Sequence, residues 1–179
     1  LDSAAFPQSR LPSDNGTVYL AAADESGMMV SYIQSNFHGF GSGIVIPGTG
    51  ISLQNRGRGF TLQPGHPNCA GPGKRPYHTI IPGFVTRGAA PVMSFGVMGG
   101  HMQPQGHIQM VQRLFDRAQN PQAALDAPRW HVTEDFRLAL EPGVGEAVAE
   151  ELRRRGHRIV ERPGMGLFGG GQIVVRMAE

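Results

Sequence analysis

Hydrophobic positions along the chain come in short runs cut by glycine and proline, and their period changes partway. TVYLAAAD and MMVSYIQSN flank Asp-Glu-Ser-Gly, which predicts a β-hairpin with Gly27 at the position that needs a positive φ. Both runs are almost continuously apolar, as expected of strands covered on two faces. IVIP and ISLQ predict two short strands inside a Gly-rich stretch, and TLQPGHPNCAGPGKRP, residues 61–76, reads as a long loop of the kind that usually carries function. HTIIPGFVTRG and APVMSFGVMGG predict a second strand pair.

After Gly100 the period lengthens to that of a helix. QGHIQMVQRLFDRAQ spaces Ile108, Val111, Leu114 and Phe115 along one face, and NPQAALDAP reads as a short helix opened by Asn-Pro. DFRLALE predicts a strand, Val144 to Arg155 an amphipathic helix stopped by Gly156, and HRIVE and GQIVVRM two more strands. Strands, then helices, then strand, helix and strands imply an α+β fold with helices layered on antiparallel sheet. Residues 1–16, LDSAAFPQSRLPSDNG, have no periodicity and read as a linker or crossing segment ahead of a domain over 17–179.

Composition narrows the function classes. With 179 residues, 40% hydrophobic and 17% charged, the chain can bury one core and is not globally disordered. Its 26 glycines and 14 prolines favour turns over long helices. A formal charge of +2 gives no reason to expect a nucleic-acid or membrane partner, and no apolar stretch is long enough to span a bilayer. Arg153 to Arg155 suit a solvated helix end. The lone Cys69 excludes an internal disulfide and a paired-thiolate zinc site, and the seven histidines lack a ligating spacing, so no metal or cofactor is expected. Nothing resembles a signal peptide, and the compartment stays open.

Two stretches carry candidate chemistry, and three Gly-rich ones do not. GFGSG, GTG and GLFGGG lack the strand, helix and acid of a nucleotide fingerprint and read as turn glycines. In VMGGHMQPQGH the Gly99–Gly100 pair separates a strand from a helix, so it is either an oxyanion hole or an ordinary tight turn. Thr17 follows the turn-prone Asp14-Asn15-Gly16 at the head of a strand; if the chain is cut there, its α-amine becomes a base held next to its own hydroxyl. Lys74 and Arg75 either guide an anionic substrate or tie down their loop. His101 and His107 read as polar residues near a helix start, and Trp130 as core.

Taken in order, TVYLAAADESGMMVSYIQSNFHGFGSG, GISLQNRG, GKRPYHTIIP, VMGGHMQPQGH and NPQAALDAPRW resemble the small-subunit portion of the γ-glutamyltranspeptidase family, N-terminal-nucleophile hydrolases, in a bacterial branch near the cephalosporin acylases. The resemblance spans about 17–176. It implies one half of a four-layer αββα sandwich, a precursor that cleaves itself between Gly16 and Thr17, Thr17 as nucleophile, Ser35 as the hydroxyl bonded to it, and Gly99 and Gly100 as the oxyanion hole. It implies as partner the large subunit of the same precursor, in a heterodimer or a dimer of heterodimers, and as substrate a small γ-glutamyl or related acyl amide. With residues 1–16 attached the chain would be inactive. A closing strand and an Asp-Pro-Arg segment are expected beyond VVRMAE.

The same resemblance puts the substrate pocket at Asn36, Phe37, Arg56, Gly59, Tyr77 and His78, and there the residues depart from the family pattern. Gly59 stands where an Asp would pair an α-ammonium, and Arg56 adds a cation suited to a carboxylate. The departures open two alternatives: a glutaryl- or cephalosporin-acylase type of amidohydrolase, or a domain that only assembles with its partner and does no chemistry.

Overall fold

The computed structural model describes residues 16–161 and 163–177; the linker expected over 1–16 lies outside it except for Gly16. Strands β1 (Thr17–Ala23) and β2 (Met29–Ser35) form an antiparallel hairpin in the register Thr17 opposite Ser35 to Ala23 opposite Met29. Asp24 closes its turn by taking the N–H groups of Ser26 and Met28 on its carboxylate, and Gly27 adopts a φ of 83°. A second sheet runs β3 (Gly83–Arg87), β4 (Ala90–Val97), β7 (Gly171–Val175), antiparallel throughout with β4 in the middle. Helices α1 (Met102–Val111), α2 (Pro121–Asp126) and α3 (Glu146–Arg154), and a third ladder of β5 (Trp130–Val132) with β6 (Leu138–Leu140), complete the fold.

β4 is sandwiched. Its odd residues Met93, Phe95 and Val97 are buried with Met110 of α1 and Ala124 of α2, flanked by Val85, Leu114, Leu125 and Ile173. Its even residues Ser94 and Gly96 face the hairpin, and they are small because the hairpin lies close. A Cβ on Gly96 would stand 2.5 Å from the Tyr19 ring, and Ser94 donates to the Val30 carbonyl at 3.0 Å. Tyr19 and Ser31 join their hydroxyls at 2.8 Å in the same layer. Hairpin, three-stranded sheet and helices therefore stack in that order.

Several expectations are corrected. The hairpin is covered on one face only: Tyr19 and Ile33 are buried, whereas Val18 is 62% and Leu20, Val30 and Tyr32 about 45% exposed. IVIP and ISLQ make a single bridge, Val45 to Ser52, between tight turns at Gly43, Gly48 and Gly50 rather than strands. HRIVE contributes only the bridge from Ile159 to Leu138. β5 was not expected, because its outer edge is completed by side chains. Val132 donates its N–H to Gln105 Oε1 at 2.7 Å, and Trp130 to Gln109 Oε1 at 3.1 Å. The same two amide groups donate back to the Val132 and Trp130 carbonyls. Two α1 glutamines one turn apart thus stand in for a neighbouring strand.

NPQAALDAPRW forms as read. Asn120 caps α2 by accepting from Ala123, Pro121 opens it, and Arg113 donates to the carbonyls of Ala124, Ala127 and Pro128 at its end. Trp130 is half-buried. Arg153, Arg154 and Arg155 pair with Glu146, Glu150 and Glu151 on the solvent side of α3. Lys74 donates to the Pro67 and Cys69 carbonyls and ties its own loop together. Among the described residues, no helix is long and apolar enough to cross a membrane.

Two imidazoles are buried in this packing. His107 and His131 are both held below the usual 6.5, His107 by desolvation and His131 by desolvation and then by the nearby His101. The unfolded chain therefore binds protons below pH 6.5 that the folded chain refuses, so this contribution to stability is complete above 6.5 and is lost as pH falls below it. In the full-length protein the urea midpoint should hold steady from about pH 8 to 7 and drop as the pH is lowered below about 6.5. His107→Gln should make that drop shallower; a midpoint that rises on acidification contradicts the assignment.

Candidate active site

Gly99 and Gly100 connect the end of β4 to the start of α1, and the chain needs glycine at both. Gly99 has a φ of 129° and Gly100 one of 57°, values that other L-residues rarely adopt. A Cβ on Gly99 would also meet the Gly169 backbone at 3.1 Å. The turn is anchored on one side by the Met98 N–H donating to the Gly170 carbonyl at 2.7 Å. On the other side the Gly99 and Gly100 carbonyls accept from Met102 and Gln103. The N–H groups of Gly99 and Gly100 themselves have no acceptor among the described residues. GLFGGG is explained by the same turn: Gly169, with a φ of 65°, is pressed so closely against the Met98 carbonyl that no side chain fits.

Beside this turn lies an open cavity of about 370 Å³. Thr17 and Ser35 line it from the hairpin ends, Phe37 from the residue pair after β2, and Gly99, Gly100 and His101 from the start of α1. Residues separated by more than eighty positions in sequence thus meet at one opening. The Ser35 hydroxyl accepts the N–H of Phe37 at 2.9 Å, which bends the chain sharply and leaves Phe37, a non-glycine residue, at a φ of 81°. Gly16 also lines the cavity and packs on a backbone: a Cβ there would lie 2.9 Å from the Gly39 carbonyl oxygen.

Of the expected substrate residues, only Phe37 faces the cavity. Arg56 is buried immediately behind the wall, in a single 3₁₀ turn over Arg56–Gly59. It donates to the Thr79 hydroxyl at 3.0 Å and to the Ser35 carbonyl at 3.1 Å, and its guanidinium carbon lies 5.4 Å from the centre of the Phe37 ring. All three partners line the cavity. Burial lowers the Arg56 pKa, as expected for a cation held by neutral oxygens. Asn36 packs against Gly41 and Gly59 accepts from Asn68, both away from the opening. Tyr77 stacks on His101 with ring centres 5.7 Å apart and so touches the rim at second hand, while His78 accepts from the Ile80 N–H.

Sequence reasoning did not single out Thr79, His131, Thr133 and Glu134, which line the cavity too. Thr79 stands one residue past the pair chosen from KRPYHTIIP, and Gln103 of α1 donates to its carbonyl. His131 to Glu134 come from the unexpected β5 and the turn after it, where the local sequence carries no signal of its own. His101 and Glu134 approach to 3.9 Å at the mouth, both well exposed, which makes a weak and adjustable contact.

Comparisons with known proteins show the family to which this fold belongs. A model of the gamma-glutamyltranspeptidase family matches residues 2–179. An oxamate amidohydrolase proenzyme of Klebsiella pneumoniae is 37% identical over 88% of this chain and 31% of its own length. A glutathione hydrolase-like YwrD proenzyme of Bacillus subtilis is 40% identical over 70% of this chain and 24% of its own. The chain thus spans a third or less of these curated relatives. The crystal structure of a cephalosporin acylase from Bacillus halodurans superposes with a TM-score of 0.83 at 56% identity, covering 89% of this chain and 30% of that one. Mixed helix and sheet, the ordered motifs and the matched length together identify the chain as a member of the gamma-glutamyltranspeptidase family.

Proposed function

We propose that this chain is the nucleophile-bearing part of an N-terminal-nucleophile amidohydrolase or acyltransferase, forming one half of an αββα sandwich. The observation that carries the reading is the single cavity shared by Thr17, Ser35, Gly99 and Gly100. In the precursor the Thr17 hydroxyl adds to the Gly16 carbonyl, the peptide nitrogen leaves as the Thr17 α-amine, and water releases the ester. In the mature enzyme that amine takes the Thr17 proton during attack on an acyl amide and returns it to the leaving amine. The acyl-enzyme then passes to water or to an acceptor amine. Gly99 and Gly100 N–H groups hold the oxyanion, and their lack of other acceptors among the described residues supports that role. Ser35, opposite Thr17 in the ladder, has its lone pair engaged by Phe37 and its own proton free for the Thr17 oxygen.

A γ-glutamyl or related acyl amide is the proposed substrate, and a glutathione hydrolase-like relative, an oxamate amidohydrolase and a cephalosporin acylase among the matches support that class. The large subunit of the same precursor is the proposed partner, supported by the uncovered apolar face of the hairpin. A second reading, an acylase for glutaryl-type groups, is favoured by Arg56. Among the described residues this buried cation has only neutral partners, and it stands directly behind a cavity wall. A kcat/KM ratio favouring a glutaryl over a γ-glutamyl anilide selects it; the reverse ratio rejects it.

In the full-length protein, Thr17→Ala should leave the precursor uncut by intact mass and reduce anilide hydrolysis more than about 1,000-fold. Undiminished activity would end the proposal, and an uncut wild-type precursor would favour a domain that only assembles. Gly16→Val should slow cleavage about ten-fold, because its side chain would push the scissile carbonyl off the Gly39 backbone. A cleavage rate equal to wild type would mean that this packing does not orient the bond.

A further inference from the structure

We propose that His107 is a positioning residue for the oxyanion-binding turn: its ring takes up the Val97 N–H and so fixes the direction of the Gly99 and Gly100 amides. The inference rests on the role proposed above for those amides.

The need for such a residue follows from the sheet. Amides along β4 point alternately to its two neighbours, and Met98 donates toward β7, at Gly170. Val97 therefore points to the β3 side. β3 begins at Gly83, opposite Phe95, so β4 outruns it by two residues and the Val97 N–H has no strand to meet. Val97 is fully buried, and a buried N–H without an acceptor is costly. His107 Nε2 supplies the acceptor at 2.9 Å. An accepting Nε2 carries no proton, so the ring is neutral with its proton on Nδ1, in keeping with its desolvated site and with the Phe95 ring 5.1 Å away. Gly106 makes the reach possible: a Cβ there would stand 2.8 Å from Val97 Cγ1, and without it α1 lies directly on the strand.

The bond closes the loop from Val97 to His107 across its base. With the Met98–Gly170 bond on the other side, the two residues before Gly99 are held from both edges. Only Gly99, Gly100 and the N-cap residue His101 lie between this clamp and the first residue of α1, so the two glycine peptide planes inherit its orientation. Simple core packing would be satisfied by any side chain of similar volume; the clamp requires an acceptor at one point.

The test uses the processed full-length protein with γ-glutamyl and glutaryl anilides. His107→Leu removes the acceptor and keeps bulk, whereas His107→Gln returns a carbonyl oxygen near the position of Nε2. Rates are divided by the nucleophiles counted in the acylation burst, so that lost folded protein does not enter. The Leu variant should lose about 10- to 100-fold in kcat per counted site with little change in KM, and the Gln variant should recover most of it. Equal per-site rates for Leu and wild type, or equal losses for Leu and Gln, overturn the proposal. Should the Leu variant not fold, the ¹⁵N shifts of the native ring decide: a bare Nε2 supports the clamp and a protonated Nε2 removes it. Activity that survives Thr17→Ala is a different outcome, which sinks the active-site reading itself and leaves the ring's tautomer unaffected.

Discussion

The fold turns on the burial of β4 from both sides while its end stays open to a cavity. A central strand packed by a hairpin on one face and two helices on the other has little freedom to shift. Small residues on the hairpin side and large ones on the helix side set the spacing of the layers: Ser94 and Gly96 against Tyr19 and Val30, and Met93, Phe95 and Val97 against Met110. Thr17 begins the hairpin and Gly99 follows the strand, so the same packing that buries the core fixes how far apart these two ends lie. Geometry at the cavity is a consequence of core packing, rather than a separate arrangement of loops.

The sequence was legible wherever the pattern was local. The hairpin, β3, β4, α2 with its Asn-Pro cap, α3 and β7 follow from period, turn residues and caps, and Gly27 takes the positive φ its turn requires. The residues at the cavity that were legible, Thr17, Ser35, Gly99 and Gly100, came through ordered motifs; propensity alone does not distinguish a catalytic glycine pair from a turn. What was not legible depends on partners far away in sequence. β5 exists because Gln105 and Gln109 present amide groups to its edge, and no window around Trp130 contains that information. The apolar runs IVIP and ISLQ look like strands by composition, yet the glycines around them impose turns at a spacing too short for a ladder.

The α1 stretch MQPQGHIQM shows why a polar helix face need not be a solvated one. Gln103 reaches the Thr79 carbonyl, Gln105 and Gln109 complete β5, and His107 receives the Val97 amide. Each of these side chains satisfies a backbone group that the sheet leaves over. Such helices read weakly by hydrophobic period because amide and imidazole groups share their buried face with the apolar residues, here Met102 and Met110. The Gln103 side-chain oxygen, buried without a partner of its own among the described residues, is the one loose end of this arrangement.

Arg56 poses the question of specificity in physical terms. A guanidinium removed from water is expensive unless hydrogen-bonded, and here two neutral oxygens and one aromatic face are its only described partners. Ser35, Phe37 and Thr79 stand between it and the cavity, so its field acts on that space through a thin, largely neutral wall. A group carrying negative charge would be drawn to that side of the opening, and an ammonium would be disfavoured there. The second reading proposed above, a glutaryl-type acyl group ending in a carboxylate, thus depends less on a direct contact than on an unbalanced buried charge. Phe37, whose ring lies 5.4 Å from the guanidinium carbon and whose N–H is held by the Ser35 hydroxyl, is the aromatic part of that wall.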